Sequence, residues 1–384
     1  MKADMISYHP EQLLVQEESL GDELTREIVD RLPGIPVRTV AKPDAALPSL
    51  LKSSDPLSSG KRTLILARQA GGFLKECPGS GAEICCNYFV LNYASNCHLE
   101  CTYCVLQSYL NNPAMVVYTN TGDLLDEVSD SLSRSPRRAF RIGTGELADS
   151  LALDDVTGYS RRLIPFFGTL PNGILELKTK SDRIANLKDL DHRGHTIVSW
   201  SLNSKPVCRS EELRAAGFAE RLSAARQCQK WGYRVGLHFD PLIHYEGWEQ
   251  DYESAVQETF RVIDPAAVVW VSLGCLRFTR DLREIVRNRF PRSRIPYGEF
   301  VPGHHGKLRY FRPIREEMYS KMRQWIAREA PGVFVYLCME SRIVWQDGMG
   351  ECPGSTDALS GRMDDLLSSA AISPAGGTFR NGTT

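Results

Sequence analysis

Between Phe89 and Leu273 the chain repeats one pattern, a short apolar run followed by an amphipathic stretch. The apolar runs are Phe89–Tyr93, Met115–Thr119, Ala139–Ile142, Ile174–Lys178, Thr196–Ser201, Val235–Phe239 and Val268–Leu273. Helical spacing falls at Asp123–Ser133, Leu151–Phe167, Ile184–Asp189, Phe218–Trp231 and Tyr252–Val262. Strands alternating with helices predict an α/β fold, a parallel sheet with helices outside it. In βα barrels the chemistry sits at the carboxyl ends of the strands.

One such strand end carries Asn96-Cys97-His98-Leu99-Glu100-Cys101-Thr102-Tyr103-Cys104. The spacing C-x3-C-x2-C offers three thiolates and no fourth ligand nearby. A [4Fe–4S] cluster takes one cysteine per iron, so three ligands leave one iron open. A structural zinc site wants four closed ligands, and His98 is misplaced for one. A redox pair of Cys101 and Cys104 leaves Cys97 unexplained. Cys77, Cys85 and Cys86 match no second cluster pattern.

Composition narrows the setting. The chain has 384 residues with a formal net charge of −1, so global charge argues for no partner. Eleven cysteines in a chain of this length are not a secreted disulfide framework. Met1-Lys2-Ala3-Asp4-Met5 has no apolar signal core, and no apolar run is long enough for a membrane span. A reducing cytoplasm is expected. The balanced total hides residues 277–328, where 14 Lys/Arg face 5 Asp/Glu for a local net of +9. That stretch fits phosphate contacts, with Tyr297, Phe300, Tyr310 and Phe311 available to stack or wedge. It fits equally a solvated helix face with core aromatics.

Further motifs follow the cysteines. Gly143-Thr144-Gly145-Glu146 is a glycine-rich turn directly after a strand, where the backbone can approach a ligand. Lys180 ends the next strand, and Ser201-Leu202-Asn203-Ser204 ends the one after. These are also what an ordinary turn, a solvated lysine and a helix cap look like. The expected organisation is an N-terminal region over residues 1–84, a barrel with a hairpin over 85–340, and a mostly disordered tail over 341–384.

The cysteine triplet resembles the cluster motif of radical S-adenosylmethionine (SAM) enzymes. More narrowly, the chain resembles the spore photoproduct lyase family of that superfamily. The resemblance rests on Cys101-Thr102-Tyr103-Cys104-Val105-Leu106-Gln107, Thr179-Lys180, Ser201-Leu202-Asn203-Ser204 and Tyr245-Glu246-Gly247-Trp248-Glu249. It continues through Leu276-Arg277-Phe278-Thr279, Arg289-Phe290-Pro291 and Gly306-Lys307-Leu308-Arg309-Tyr310, covering roughly residues 60–340. It implies a partial (βα)6 radical SAM barrel with an N-terminal extension and a C-terminal β-hairpin and helix region that approaches DNA. It implies a carbon–carbon lyase that cleaves SAM to a 5′-deoxyadenosyl radical and repairs a thymine photolesion. Cofactors are then a [4Fe–4S] cluster and SAM, and partners are damaged DNA and an electron donor such as flavodoxin or ferredoxin. Carried across, Cys97, Cys101 and Cys104 are cluster ligands. Gly143, Gly145, Glu146, Lys180, Ser201 and Asn203 fall at SAM-contact positions, and Lys307, Arg309 and Tyr310 fall in the DNA-facing hairpin.

Two departures bear on mechanism. The family's namesake returns hydrogen from a cysteine just after the strand that ends here in Gly143. Glu146 aligns there, and no cysteine lies between Cys104 and Cys208. The namesake also uses two tyrosines flanking its last cluster cysteine, whereas this chain has Tyr103 and Val105. Tyr103 and Cys338 are therefore the candidate hydrogen-transfer residues, with Cys275 as the other thiol near a strand end. Two other functions fit the same motifs: hydrogen abstraction from a nucleoside or small metabolite, and a non-catalytic iron–sulfur protein that binds DNA.

Overall fold

The computed structural model describes residues 8–77, 79, 83–303 and 306–371. In chain order its strands are β1 (Gln12–Gln16), β2 (Val37–Val40), β3 (Thr63–Ala67), β4 (Leu74–Glu76), β5 (Phe89–Leu91), β6 (Ala94–Ser95), β7 (Met115–Tyr118) and β8 (Phe140–Gly143). Then come β9 (Gly173–Thr179), β10 (Thr196–Ser201), β11 (Arg234–Leu242), β12 (Val268–Cys275), β13 (Arg277–Phe278), β14 (Val301–Pro302), β15 (Leu308–Arg309) and β16 (Val335–Leu337).

The main sheet runs in the order β16-β12-β11-β10-β9-β8-β5-β4 and curls into an open half-barrel. β5, β8, β9, β10, β11, β12 and β16 are parallel, and β4 closes one edge antiparallel. The periodicity of β9 shows how the sequence dictates this curl. Leu175, Leu177 and Thr179 are buried, while Glu176 and Lys178 alternate with them and are half-buried. Strand alternation sends the two sets to opposite faces, so the charged pair lies on the concave side. Helices Phe218–Lys230 and Trp248–Val262 pack outside, as the amphipathic spacing predicts. The helix expected over Leu151–Phe167 is instead two, Asp154–Thr157 and Tyr159–Phe167. They break at Gly158, whose φ of +62° is left-handed and costs glycine little.

The N-terminal region builds a sheet of its own. β1, the helix Glu23–Arg31 and β2 form a βαβ unit, and a second sheet runs β2-β1-β3-β7-β6. Two physical features hid it. β2 (Val-Arg-Thr-Val) is a mostly exposed edge on which only Val40 packs inward, and the Pro- and Ser-rich residues 43–60 fold into short helices with proline in their first turns. Because β6 and β7 belong to this sheet, a division at residue 84 cuts through it.

The C-terminal tail also differs from expectation. Helices span Arg342–Met349 and Thr356–Ala371. Leu359, Met363 and Leu367 of the second are buried, and Arg141 of β8 reaches it through Ser360 (2.9 Å) and Asp364 (3.2 Å). Met1–Met5 and Ser373–Gly377, which bore on the leader and tail readings, lie outside the described residues. Among the described residues no helix is long and apolar enough to cross a membrane.

Candidate active site

The cysteine loop starts where β6 ends and is fixed from several sides. Asn96 and Glu100 take positive φ of 73° and 47°, which tightens the loop. Asn96 holds the turn by donating to the Pro113 carbonyl (2.6 Å) and accepting from the Cys97 amide (2.7 Å). Glu100 is buried between Lys61 (3.0 Å) and Arg289 (3.3 Å). The Thr102 amide donates to the Glu211 carbonyl (2.8 Å), and the Gln107 side chain donates to the carbonyls of Cys101 (3.2 Å) and Thr102 (2.9 Å).

Cys97, Cys101 and Cys104 all line one cavity of about 300 Å³. Burial, then the nearby Asp149 carboxylate, pushes the Cys97 thiol up to about 12; burial and Glu212 raise Cys101 well above the ordinary range. Three thiolates are therefore unfavourable here without a compensating cation. The Leu99 amide already points at Cys97 Sγ (3.5 Å), as a hydrogen bond to thiolate sulfur requires. Among the described residues no three His, Cys, Asp or Glu side chains converge as ligands of one metal ion. Three thiols on one cavity are one short of the four closed ligands of a structural zinc site. They fit donors that each reach a different iron of a larger cluster.

The positions expected at SAM divide. Gly145, Glu146, Lys180 and Ser201 line the cysteine cavity, and Gly143 lines the adjoining one. At Gly145 an added Cβ would lie 2.9 Å from the Lys178 carbonyl oxygen, so only glycine lets β8 and β9 approach this closely. Glu146 accepts the Tyr88 hydroxyl (2.8 Å). Lys180 faces Glu212 at 3.9 Å, and Asp149 pins its amide (2.7 Å). Asn203 departs from expectation: it does not line the cavity. Its side chain donates to the Pro241 carbonyl (2.9 Å) and accepts from Tyr252, so it shapes the end of β10. Tyr103 lines the cavity, yet its hydroxyl donates to Glu212, which Arg221 also holds.

A second lobe of about 390 Å³ adjoins the first and shares Gly145, Glu146, Lys178, Asp240, Arg277 and Met339 with it. Its walls are polar in a way the motif search missed. Burial alone would lower Lys178, but Glu146, Asp240 and Glu176 outweigh it and raise the ammonium. Burial alone would raise Glu176; His238 (2.8 Å), Ser199 and Lys178 instead bring it down to about 2. The signal was available in β9, where Glu176 and Lys178 interrupt an apolar strand at a period of two.

Cys338 lines this second lobe, and Arg277 donates to its carbonyl (3.2 Å) and to its Sγ (3.4 Å). Burial, then Asp240, raises its thiol well above the ordinary value, so the S–H bond is intact at neutral pH. Cys275 lines neither lobe; it is buried against Met318 (3.9 Å). Cys77, Cys85 and Cys86 line the lobe with Cys338.

The hairpin corrects part of the DNA expectation. β14 and β15 are antiparallel and join β13 in a three-stranded sheet. Lys307 reaches the mouth of the cysteine cavity. Arg309 does not face solvent: it is 7% exposed and paired with Glu83 (2.7 Å). Tyr310 is 3% exposed, stacked on Phe300 and hydrogen-bonded to the His244 amide (3.0 Å). Arg315 and Arg289 are likewise consumed by Glu340 (2.9 Å) and Asp55 (3.1 Å). Acids distant in sequence thus neutralise much of the local +9. Tyr297 and Phe311 remain exposed, as do Arg280, Arg292, Arg294 and Arg312.

Comparison with known proteins agrees with this geometry. A spore photoproduct lyase of a Geobacillus species is 27% identical over 256 residues, spanning 64% of this chain and 75% of the relative. The spore photoproduct lyase of Bacillus subtilis is 24% identical over 249 residues, spanning 63% and 71%. A solved spore photoproduct lyase mutant superposes with a TM-score of 0.78 at 24% identity, covering 86% of this chain and 99% of that one. Another, carrying bound AdoMet and dinucleoside spore photoproduct, superposes with a TM-score of 0.76 at 23% identity over the same shares. The family model for spore photoproduct lyase matches residues 56–336, and the chain belongs to that family of radical SAM lyases, which use a [4Fe–4S] cluster and SAM.

Proposed function

We propose that this radical SAM lyase repairs a thymine photolesion in DNA, with Cys338 as its hydrogen donor. The observation that carries the reading is the two-lobed cavity, with three thiols in one lobe and a protonated thiol in the wall of the next. When bound, the cluster and SAM supply a 5′-deoxyadenosyl radical through one-electron cleavage of SAM. Cys97, Cys101 and Cys104 hold the cluster; Glu146, Lys180 and Ser201 orient SAM through its charged and hydroxyl groups; Asn203 shapes the strand end beneath them. Lys178 and Arg277, on the shared wall, fix the polar edges of the lesion by hydrogen bonding.

Cys338 then acts on the product radical. Its S–H bond breaks and a C–H bond forms on the thymine carbon, leaving the unpaired electron on sulfur. The phenols of Tyr88 and Tyr336 line the same lobe; breaking one O–H bond re-forms the S–H bond and leaves the unpaired electron on the phenol oxygen. Lys307 at the cavity mouth and Arg292 and Arg294 outside it contact phosphates, and Tyr297 and Phe311 stack beside the extruded lesion. A distorted lesion lowers the cost of that extrusion. The comparisons support this reading because solved relatives carry dinucleoside spore photoproduct. A reducing cytoplasm suits eleven cysteines that form no disulfide among the described residues.

The test is a reduced, reconstituted enzyme with SAM and an oligonucleotide bearing the methylene-bridged thymine dimer. Restored thymine is expected. SAM cleavage without restored thymine would instead favour a second reading, hydrogen abstraction from a free nucleoside or small metabolite. The polar walls of the second lobe, Glu176, His238 and Asp240, are the feature that favours it.

A further inference from the structure

The helix Thr356–Ala371 lies beyond residues 56–336, the part of the chain that the family model matches. It is nevertheless built into the wall of the second lobe. Thr356 lines that lobe, and its hydroxyl oxygen accepts from the Cys85 amide (3.2 Å). Further along the helix, Ser360 and Asp364 take the Arg141 guanidinium, which also donates to the Cys86 carbonyl. Leu359, Met363 and Leu367 seat the helix on the core. From the other side the Ile84 amide donates to the Glu340 carbonyl (2.9 Å). The short wall from Ile84 to Tyr88 is thus held between β8, the helix and the segment that follows β16.

We propose that Thr356 determines specificity at the lesion site by fixing the Cys85 amide and donating its hydroxyl proton to a carbonyl of the damaged pyrimidine; the proposal rests on the reading that the second lobe takes the lesion. The Thr356 oxygen is anchored as the acceptor for Cys85, while its proton meets no acceptor among the described residues. A half-buried hydroxyl on a cavity wall loses water when the lobe fills. A ligand oxygen placed there restores the hydrogen bond, and a ligand without one leaves the donor unpaired.

The charge on the walls selects which oxygen. Glu146, Glu176 and Asp240 offset Lys178, Arg277 and His238, so no surplus cation is left for a phosphate. A neutral donor suits the neutral edge of a base, and phosphates are left to Lys307 at the mouth of the first lobe. The helix therefore acts on the substrate as well as on the core. Its first turn reads the base, and its later turns, through Arg141, hold the Cys86 carbonyl in the wall that faces Cys338.

The experiment uses the full-length enzyme with its cluster reconstituted, dithionite, SAM and the dinucleoside form of the methylene-bridged thymine dimer. Thr356→Val keeps the volume of the side chain and removes the hydroxyl. It is expected to raise KM for the lesion about fivefold, with KM for SAM and lesion-free cleavage of SAM unchanged. Thr356→Ser is expected to restore the native KM to within about twofold. Iodoacetamide labelling of Cys85 and Cys86, located by mass spectrometry, should quicken in Thr356→Val and stay at the native rate in Thr356→Ser. An unchanged lesion KM in Thr356→Val overturns the proposal, and with faster labelling it would reduce Thr356 to a structural cap. An equal loss of lesion-free SAM cleavage also overturns it, since the variant would then have damaged the whole site. So does a serine variant that behaves like valine. A native enzyme that cleaves SAM and leaves the lesion intact would fail the lesion reading itself, and this proposal with it.

Discussion

Individual side chains show what motif spacing can and cannot reveal. The three cysteines stand out in the sequence because cluster ligation needs thiolates at short fixed separations. Lys178 does not, since strand-end logic favours Lys180, which turns toward Glu212 at 3.9 Å. Strand alternation sends Glu176, Lys178 and Lys180 to the same side, and a motif read at the strand end stops at the last of them. A polar residue at a strand end serves a ligand or the backbone equally well, and the Asn203 side chain here meets Pro241 and Tyr252. Replacing Cys338 with Ala is expected to lower thymine recovery by on the order of tenfold or more while 5′-deoxyadenosine release persists. Chromatography of both products checks it, and unchanged thymine recovery would exclude Cys338 as the donor. Glu176 makes a pH prediction. Its folded value, about 2, lies below the ordinary 4.5, so its contribution to stability is full above 4.5 and is lost as pH falls toward 2. Urea unfolding of Glu176→Gln should therefore show a shallower loss of stability between about pH 5 and pH 2.5 than the native protein.

At the level of elements, the alternating strands and helices of residues 89–273 were legible because parallel strands read as apolar runs and their helices as amphipathic ones. The edges were not. β2 is mostly exposed, and the helix Thr356–Ala371 follows Pro353-Gly354-Ser355, which reads as a chain end. Its spacing of Leu359, Met363 and Leu367 at every fourth position was the overlooked sign. Truncation before Thr356 removes three buried apolar side chains and uncovers the surface they pack on, which should cost about 5 kcal/mol by area. Chemical denaturation measures it, and a loss below about 1 kcal/mol would show that the helix is not docked in solution. The hairpin divides its charges. Lys307→Ala should weaken DNA binding and flatten its salt dependence. Arg309→Ala should act on folding instead, because it leaves Glu83 buried without its nearest cation. A salt-slope change in Arg309→Ala with unaltered stability would reverse that assignment.

Across the whole molecule, a division into an N-terminal region, a barrel and a tail is too simple. β5 pairs with β8 in the half-barrel, and three residues after its end β6 pairs with β7 in the other sheet. The cysteine loop leaves from that crossing and the chain returns through β7, so the loop forms a seam between two sheets. Lys61 from one side and Arg289 from the other meet on its Glu100. On the proposed ligation by Cys97, Cys101 and Cys104, iron loading would tighten this seam as well as prepare for chemistry. A protein that has not received its metal should keep both sheets and lose their mutual grip. Hydrogen exchange would show faster opening of Ala94–Ser95 and Met115–Tyr118 in the metal-free protein, with β10 and β11 still protected. Equal protection at the seam with and without metal would contradict this. On that ligation, a shortage of iron would leave copies whose two sheets part more easily along this seam.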